Sequence, residues 1–317
     1  MKPVCFTFLN GSDIGQLELT DTEILDAVEQ GLRAQGQGET VIEPRVHLVP
    51  DASFNGHFNV LRGYVAPLSL AGVKIVGDFV GNYEAGLPSE MALLNLFDPR
   101  TGMPVAVVDA TALTEMRTGA LTALGARHLA RPDAGVLGHI GARATSYWNV
   151  RLLDRIFDLA EIRVHSRRPE SRAAFAERLE RDLGKPVVVT KDWQRCVEGA
   201  DIVVEASRLE RPEPLLKTEW IARGALVVPY GTNSAVELGL TDIWTRSSST
   251  TGGRHTPDRS APCAPTWTPA GSTRPICTAS WARSSRAASP AGRARRRRTC
   301  SGTAVSPSPT SRSAPRC

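Results

Sequence analysis

The chemistry of the chain changes at one place, the stretch "DIWTRSSSTTGG" from Asp242 to Gly253, and that break decides which residues can build a core. From residue 245 to Cys317 there is no Leu, Phe, Tyr, Glu or Lys, and Arg, Ser, Pro, Thr and Ala dominate. Such a segment has too little aliphatic surface to offset the entropy of ordering it, so it is expected to be disordered. Of the chain's 38 basic and 33 acidic residues, this tail holds 13 Arg and the single acid Asp258. The formal +5 of the 317-residue chain therefore divides into +12 on the tail and −7 on residues 1–244. The basicity belongs to the tail alone.

Three readings of the tail compete. "RARRRR", Arg293 to Arg298, is the charge signature of a nucleic-acid-binding extension, and a solvated low-complexity tail is the plain alternative. The third reading is translation out of frame. In GC-rich codons, "WTRSSSTTG" regroups by one base to MDKIVVDDW, a strand followed by acids. "SAPCAPTWTPA" from Ser260, "SWARSSRA" from Ser280 and "TCSGTAV" from Thr299 regroup to GALRPHVDAG, ELGEIVAG and VLWHRGL. Each shift restores the missing Leu, Val, Glu or Asp. The expectation is one base lost just before Trp244, and a nucleic-acid partner ranks last.

Cys263, Cys277, Cys300 and Cys317 lie in the tail, which leaves Cys5 and Cys196 in the globular part. Two isolated cysteines make no disulfide framework and no metal spacing. No signal-peptide pattern opens the chain and no apolar run reaches membrane-spanning length, so a cytoplasmic protein without a membrane partner is expected.

Residues 1–244 read as two kinds of α/β structure. Thr20 and Glu23 form a capping-box pattern, and Ile24, Val28 and Leu32 follow at helical spacing, which predicts a helix over about 21–35. "GHFNVLRGYV", "AGVKIVGDFV", "MALLNLFD" and "MPVAVVDA" then read as successive strands without intervening helices, a mixed or antiparallel sheet. "GNYEAGLPSE" is a loop between two of them. From Thr111 the rhythm changes to a long Ala/Leu helix, then strands "AGVLGHIG", "EIRVHSR", "KPVVVTKD", "ADIVVEAS" and "GALVVPYG" alternate with helices. That spacing predicts a Rossmann-type, doubly wound parallel sheet. The expected domains are 1–112, 113–244 and the tail 245–317.

"GHIGARATS", Gly138 to Ser146, falls between a strand and a helix, where a dinucleotide-binding loop belongs. Gly138 and Gly141 fit the pattern, but Arg143 stands where the second glycine would allow closest approach. The next strand ends in Ser166, Arg167 and Arg168 rather than the Asp or Glu that accepts bonds from the ribose of NAD. Guanidinium matches a 2′-phosphate bidentately, so NADP(H) is favoured over NAD(H).

At this point the chain resembles the ornithine cyclodeaminase/μ-crystallin family, which includes archaeal-type alanine dehydrogenases and cyclic ketimine reductases. The likeness rests on "EPRVHL" around Arg45, "AGVKIVGDFVGN" around Lys74, "GLPSE", "TEMRTGALTALGARHLA" around Arg117, "LGHIGA", and "GTN" at Gly231 to Asn233. It implies NAD(P)-dependent hydride transfer at the α-carbon of a small amino acid or cyclic imine, in a homodimer built through the N-terminal sheet. It also implies site roles. Arg45 grips the substrate carboxylate, Lys74 contacts the carboxylate or imine nitrogen, and Arg117 bridges substrate and nicotinamide. Ser89, Ala144, Thr145, Ser207, Gly231 and Thr232 lie along the cofactor. Lys74 interrupts the apolar run "LAGVKIVG", where an unpaired charge is costly. Arg45 and Arg117 also have a plainer reading as partners in surface ion pairs.

One departure is chemical. Where the family's cyclodeaminases place an acid, this chain has Asn233, which exchanges no proton near neutral pH. Oxidation or imine reduction needs less than the full conversion of ornithine to proline with ammonia release. Asp78 and Glu84 are candidate replacement acids. A ligand- or NADPH-binding protein without turnover is the alternative from another functional class.

Overall fold

Ten-residue strands rich in Val, Ile, Phe and Tyr set the first layer of the computed structural model. The structure describes residues 3–207, 209, 211–230 and 235–243, together with a two-residue parallel pairing of Ser248–Ser249 with Ala279–Ser280. The expectations for the rest of the tail and for Gly231, Thr232 and Asn233 fall outside the described residues. All the described residues belong to one compact unit, Met1–Arg286.

The first sheet contains β1 (Thr7–Leu9), β2 (Thr40–Ile42), β3 (Val46–Leu48), β4 (Gly56–Val65), β5 (Leu70–Phe79), β6 (Glu90–Phe97) and β7 (Pro104–Asp109). Its order is β1-β7-β6-β5-β4-β2, with β3 also on β4; β1 pairs parallel to β7 and the other neighbours are antiparallel. The sheet is mixed, as the uninterrupted strand runs imply. The short strands β1, β2 and β3 and the helix α1 (Gly11–Gln16) carry too few residues for a periodicity to register.

Side chains alternate across a strand, so Lys74, Val76 and Asp78 share one face of β5 and Val73 and Ile75 the other. On the Lys74 face, register sets Leu61, Lys74, Leu94 and Val108 side by side. This face lies under α2 (Asp21–Gln37) and the start of α3 (Thr111–Leu129). Helix α2 starts at the capping box, Glu23 accepting from the Thr20 N–H at 2.9 Å, and ends at Gly38 with φ 79°.

The second sheet is wholly parallel, in the order β10 (Val187–Val189), β9 (Glu161–His165), β8 (Val136–Ile140), β11 (Ile202–Glu205), β12 (Leu226–Pro229). Helices α4 (Ala144–Phe157), α5 (Pro169–Leu183) and the short α6 (Trp193–Val197) make the crossovers. The strand order reverses at β8, the place where such sheets open a crevice for ligands. One core joins α2, α3, α4 and the central strands, with Leu124, Leu137, Leu153 and Ile162 at 1% exposure or less. Each such side chain contributes about 1.5–3 kcal/mol of burial free energy. Among the described residues no helix is long and apolar enough to cross a membrane.

Candidate functional site

Helix α3 carries the site because it leaves the first sheet at Thr111 and runs about 28 Å along the second. Thr114 and Arg117, three residues apart, lie on one face of its first turns. They meet Lys74 of β5 in a cavity of about 310 Å³. The Lys74 Nζ donates to Thr114 Oγ1 at 3.1 Å, and the Thr114 hydroxyl donates in turn to the Ala110 carbonyl at 2.7 Å. Leu19, Ile24, Val28, Leu94 and Met116 supply apolar walls, and Glu23 stands at the edge.

Burial is the main cause that lowers the Lys74 pKa, to about 8; the Arg117 charge adds to it and Glu90 opposes it. Arg117 stands in a concave mouth, crowded by protein while water still reaches it. Burial draws its pKa down, against the opposite influence of Tyr230 and Glu90. The cavity thus offers two cations of different kinds, a guanidinium fork and an ammonium that changes charge within reach of physiological pH.

Arg45 is not brought into this cavity. It lies exposed just before β3, one residue beyond the Val46–Val60 pair, and does not line the walls. Asp78 is buried on the Lys74 face, opposite Glu90 and His57 in register, whereas Glu84 is exposed in the turn Val80–Ala85. Ser89 is half-buried just before β6, its carbonyl accepting from the Phe79 N–H at 2.9 Å.

The glycine loop follows β8. Gly141 has φ 113°, and a Cβ there would stand 2.6 Å from the Ala206 carbonyl oxygen, so only glycine fits. Its N–H donates to the His165 carbonyl at 2.8 Å. Gly138 is needed for another reason: its bare Cα lets the Cys196 carbonyl of α6 approach the sheet. Ala144 and Thr145 open α4, whose N-cap Arg143 makes no side-chain capping bond. An uncapped helix N-terminus presents N–H groups and partial positive charge to an anion.

Ser166, Arg167 and Arg168 sit together after β9. Ser166 Oγ donates to the Arg168 carbonyl at 3.2 Å, and Arg167 is exposed. The Arg168 guanidinium lies 4.3 Å from the centroid of the Tyr83 ring, a cation–π contact with the turn after β5. Ser207 follows β11 and donates its N–H at 2.8 Å, and its hydroxyl as well, to Glu205, whose pKa is raised by burial.

Sequence reasoning passed over Thr114, Glu90, His139, Asn149 and Tyr230. The spacing of Thr114 to Arg117 was a usable signal. His139 was another, a polar residue in the middle of a buried strand. The bonds of Asn149 and Tyr230 are long-range and leave no local mark.

The chain has relatives among known proteins. The chain is 31% identical to the alanine dehydrogenase of Archaeoglobus fulgidus over 210 residues, 66% of this chain and 62% of that protein's length. The solved structure of Thermococcus litoralis Delta(1)-pyrroline-2-carboxylate reductase in complex with NADH and L-proline superposes with a TM-score of 0.67 at 27% identity. That match covers 71% of this chain and 68% of the other. An archaeal alanine dehydrogenase dimer with bound NAD gives 0.63 at 29% identity, over 70% and 66%. The matched part thus spans roughly two thirds of these relatives. The model of the ornithine cyclodeaminase/mu-crystallin family matches residues 6–249, and the chain belongs to that family.

Proposed function

We propose that this protein transfers hydride between a nicotinamide dinucleotide and the α-carbon of a small amino acid or cyclic imino acid. The observation that carries the reading is the meeting of Lys74 and Arg117 in one cavity. The tight Gly141 turn, the uncapped start of α4 and the Ser166–Arg168 corner suit a pyrophosphate and a phosphorylated ribose. Bound there, the dinucleotide would accept or supply the hydride.

The protein's own residues do the rest. Arg117 presents a planar fork of donors to the substrate carboxylate. Lys74 in its neutral form takes the proton that leaves the substrate nitrogen as the C–N single bond becomes an imine. In its charged form it returns that proton during reduction. The apolar walls favour an aliphatic or cyclic body. Conversion of ornithine to proline with ammonia loss asks for a further acid, and Asn233 is none, so dehydrogenation or imine reduction is the favoured form. The family's relatives, named as alanine dehydrogenase and pyrroline-2-carboxylate reductase, support the same class.

Two further parts belong to the proposal. The cofactor is NADP(H) in preference to NAD(H), and residues from Trp244 onward are read out of their natural frame. The test is reduced-nicotinamide absorbance with alanine, proline, ornithine, lysine and the matching imines. Turnover is expected in at least one pair, lost in Arg117→Ala and less affected in Arg45→Ala, since Arg45 stands outside the cavity. Dinucleotide affinity without turnover on any substrate would favour the binding-protein reading instead.

A further inference from the structure

Beneath the glycine turn runs a buried polar chain that the proposed chemistry does not use. Tyr230, at the end of β12, donates its hydroxyl to Asn149 Oδ1 at 2.6 Å and contacts the Thr122 hydroxyl on α3. Asn149 Nδ2 lies 3.3 Å from His139 Nε2, and His139 Nδ1 lies 3.1 Å from the Gly141 carbonyl oxygen. His139 and Asn149 are fully buried.

The direction of every bond follows from one fact: a carbonyl oxygen only accepts. His139 must therefore carry its proton on Nδ1 and donate to Gly141, which leaves Nε2 as an acceptor for the Asn149 amide. The Asn149 oxygen is then turned to Tyr230, and the Tyr230 oxygen is left to accept from Thr122, whose single hydroxyl proton is shared with the Thr118 carbonyl at 3.3 Å. Burial holds the imidazole neutral by lowering its pKa to about 4, which agrees with a single ring proton.

The consequence is at the next peptide. In a trans planar peptide the C=O and the following N–H point in opposite directions, and no cis bond occurs among the described residues. With the Gly141 carbonyl held inward by His139, the Ala142 N–H must point outward, toward the open side of the turn. The geometry points to His139 as a positioning residue that aims the Ala142 N–H at a dinucleotide pyrophosphate, where Arg143 has displaced the usual second glycine. Asn149 and Tyr230 act through it by fixing the ring. This rests on the dinucleotide reading of the preceding section.

The test uses the stereochemistry of amides. An Asn side chain places its Nδ2 where imidazole Nδ1 stands, whereas Gln reaches the Nε2 position. In the full-length chain, His139→Gln is expected to weaken ADP-ribose and NADPH binding about tenfold and adenosine binding less than about twofold. His139→Asn is expected to hold ADP-ribose within about twofold of the wild type. A buried group that serves folding alone would not separate these variants in this way. Equal ADP-ribose affinity in the two variants would overturn the assignment. Amide exchange on the wild-type protein gives a readout free of folding defects: ADP-ribose should slow exchange at Ala142, and an unchanged rate would overturn the aim assigned to it. A wild type that binds adenosine but no dinucleotide would remove the proposed function itself. A wild type that binds dinucleotide while His139→Gln does so equally well would remove only this inference.

Discussion

Lys74 shows how a single residue ties stability to chemistry. Its folded pKa of about 8 lies below the ordinary 10.5, so between those values the unfolded chain binds more protons than the folded one. Stability from this group therefore rises with pH through that window, and below about 8 the buried ammonium is a full cost. Lys74→Met is expected to raise the melting temperature at pH 7 while abolishing turnover, a trade typical of functional sites. The same pKa sets the sign of the rate profile. Amino-acid oxidation should rise as pH climbs through about 8 and imine reduction should fall, the rate profiles of the wild type giving the check. The charge interrupting "LAGVKIVG" was legible in the sequence because a buried ammonium needs a reason. The place of Arg45 depends instead on the pairing of β3 with β4, in which Val46 faces Val60, and no local pattern reveals it.

At the scale of elements, the parallel sheet was the most readable part, because each βα unit repeats its own pattern of buried strand and amphipathic helix. The first sheet was read correctly as mixed, but its short strands β1, β2 and β3 depend on long-range pairing. The corner after β9 illustrates a limit of motif reading. "HSRRPE" indicates phosphate recognition, while the fold also stacks Arg168 on Tyr83. Arg167 is thereby the freer guanidinium, and binding of a 2′-phosphate would draw Arg168 from the ring. Substituting both arginines with Ala is expected to raise KM for NADPH about tenfold or more and leave KM for NADH nearly unchanged. Equal effects on the two cofactors would remove the NADP(H) preference.

For the whole molecule, the uncovered face of the first sheet asks for a partner. Val46, Ile75 and Leu93 lie in one cross-strand row of that face, and Met91 and Phe8 lie on the same face. Leu93 is 50% exposed and Phe8 62%. We propose that this apolar sheet face is an association surface occupied by a second copy of the chain. Ile75→Lys with Leu93→Lys should convert a dimer to a monomer by light scattering; a wild type already monomeric would contradict this. The break near Trp244 bears on the same scale. Restoring the reading frame by one base should raise the melting temperature and the turnover of the protein, and resequencing the gene should find the missing base. The central claim is hydride transfer beside Lys74 and Arg117, and isotope transfer tests it most directly. Reduced cofactor deuterated at the nicotinamide C4 is incubated with cyclic and open-chain imino acids, and the amino-acid product is weighed. One deuteron at the α-carbon of the wild-type product, and none with Arg117→Ala, is the expected result; cofactor bound without any label reaching the α-carbon would contradict the account.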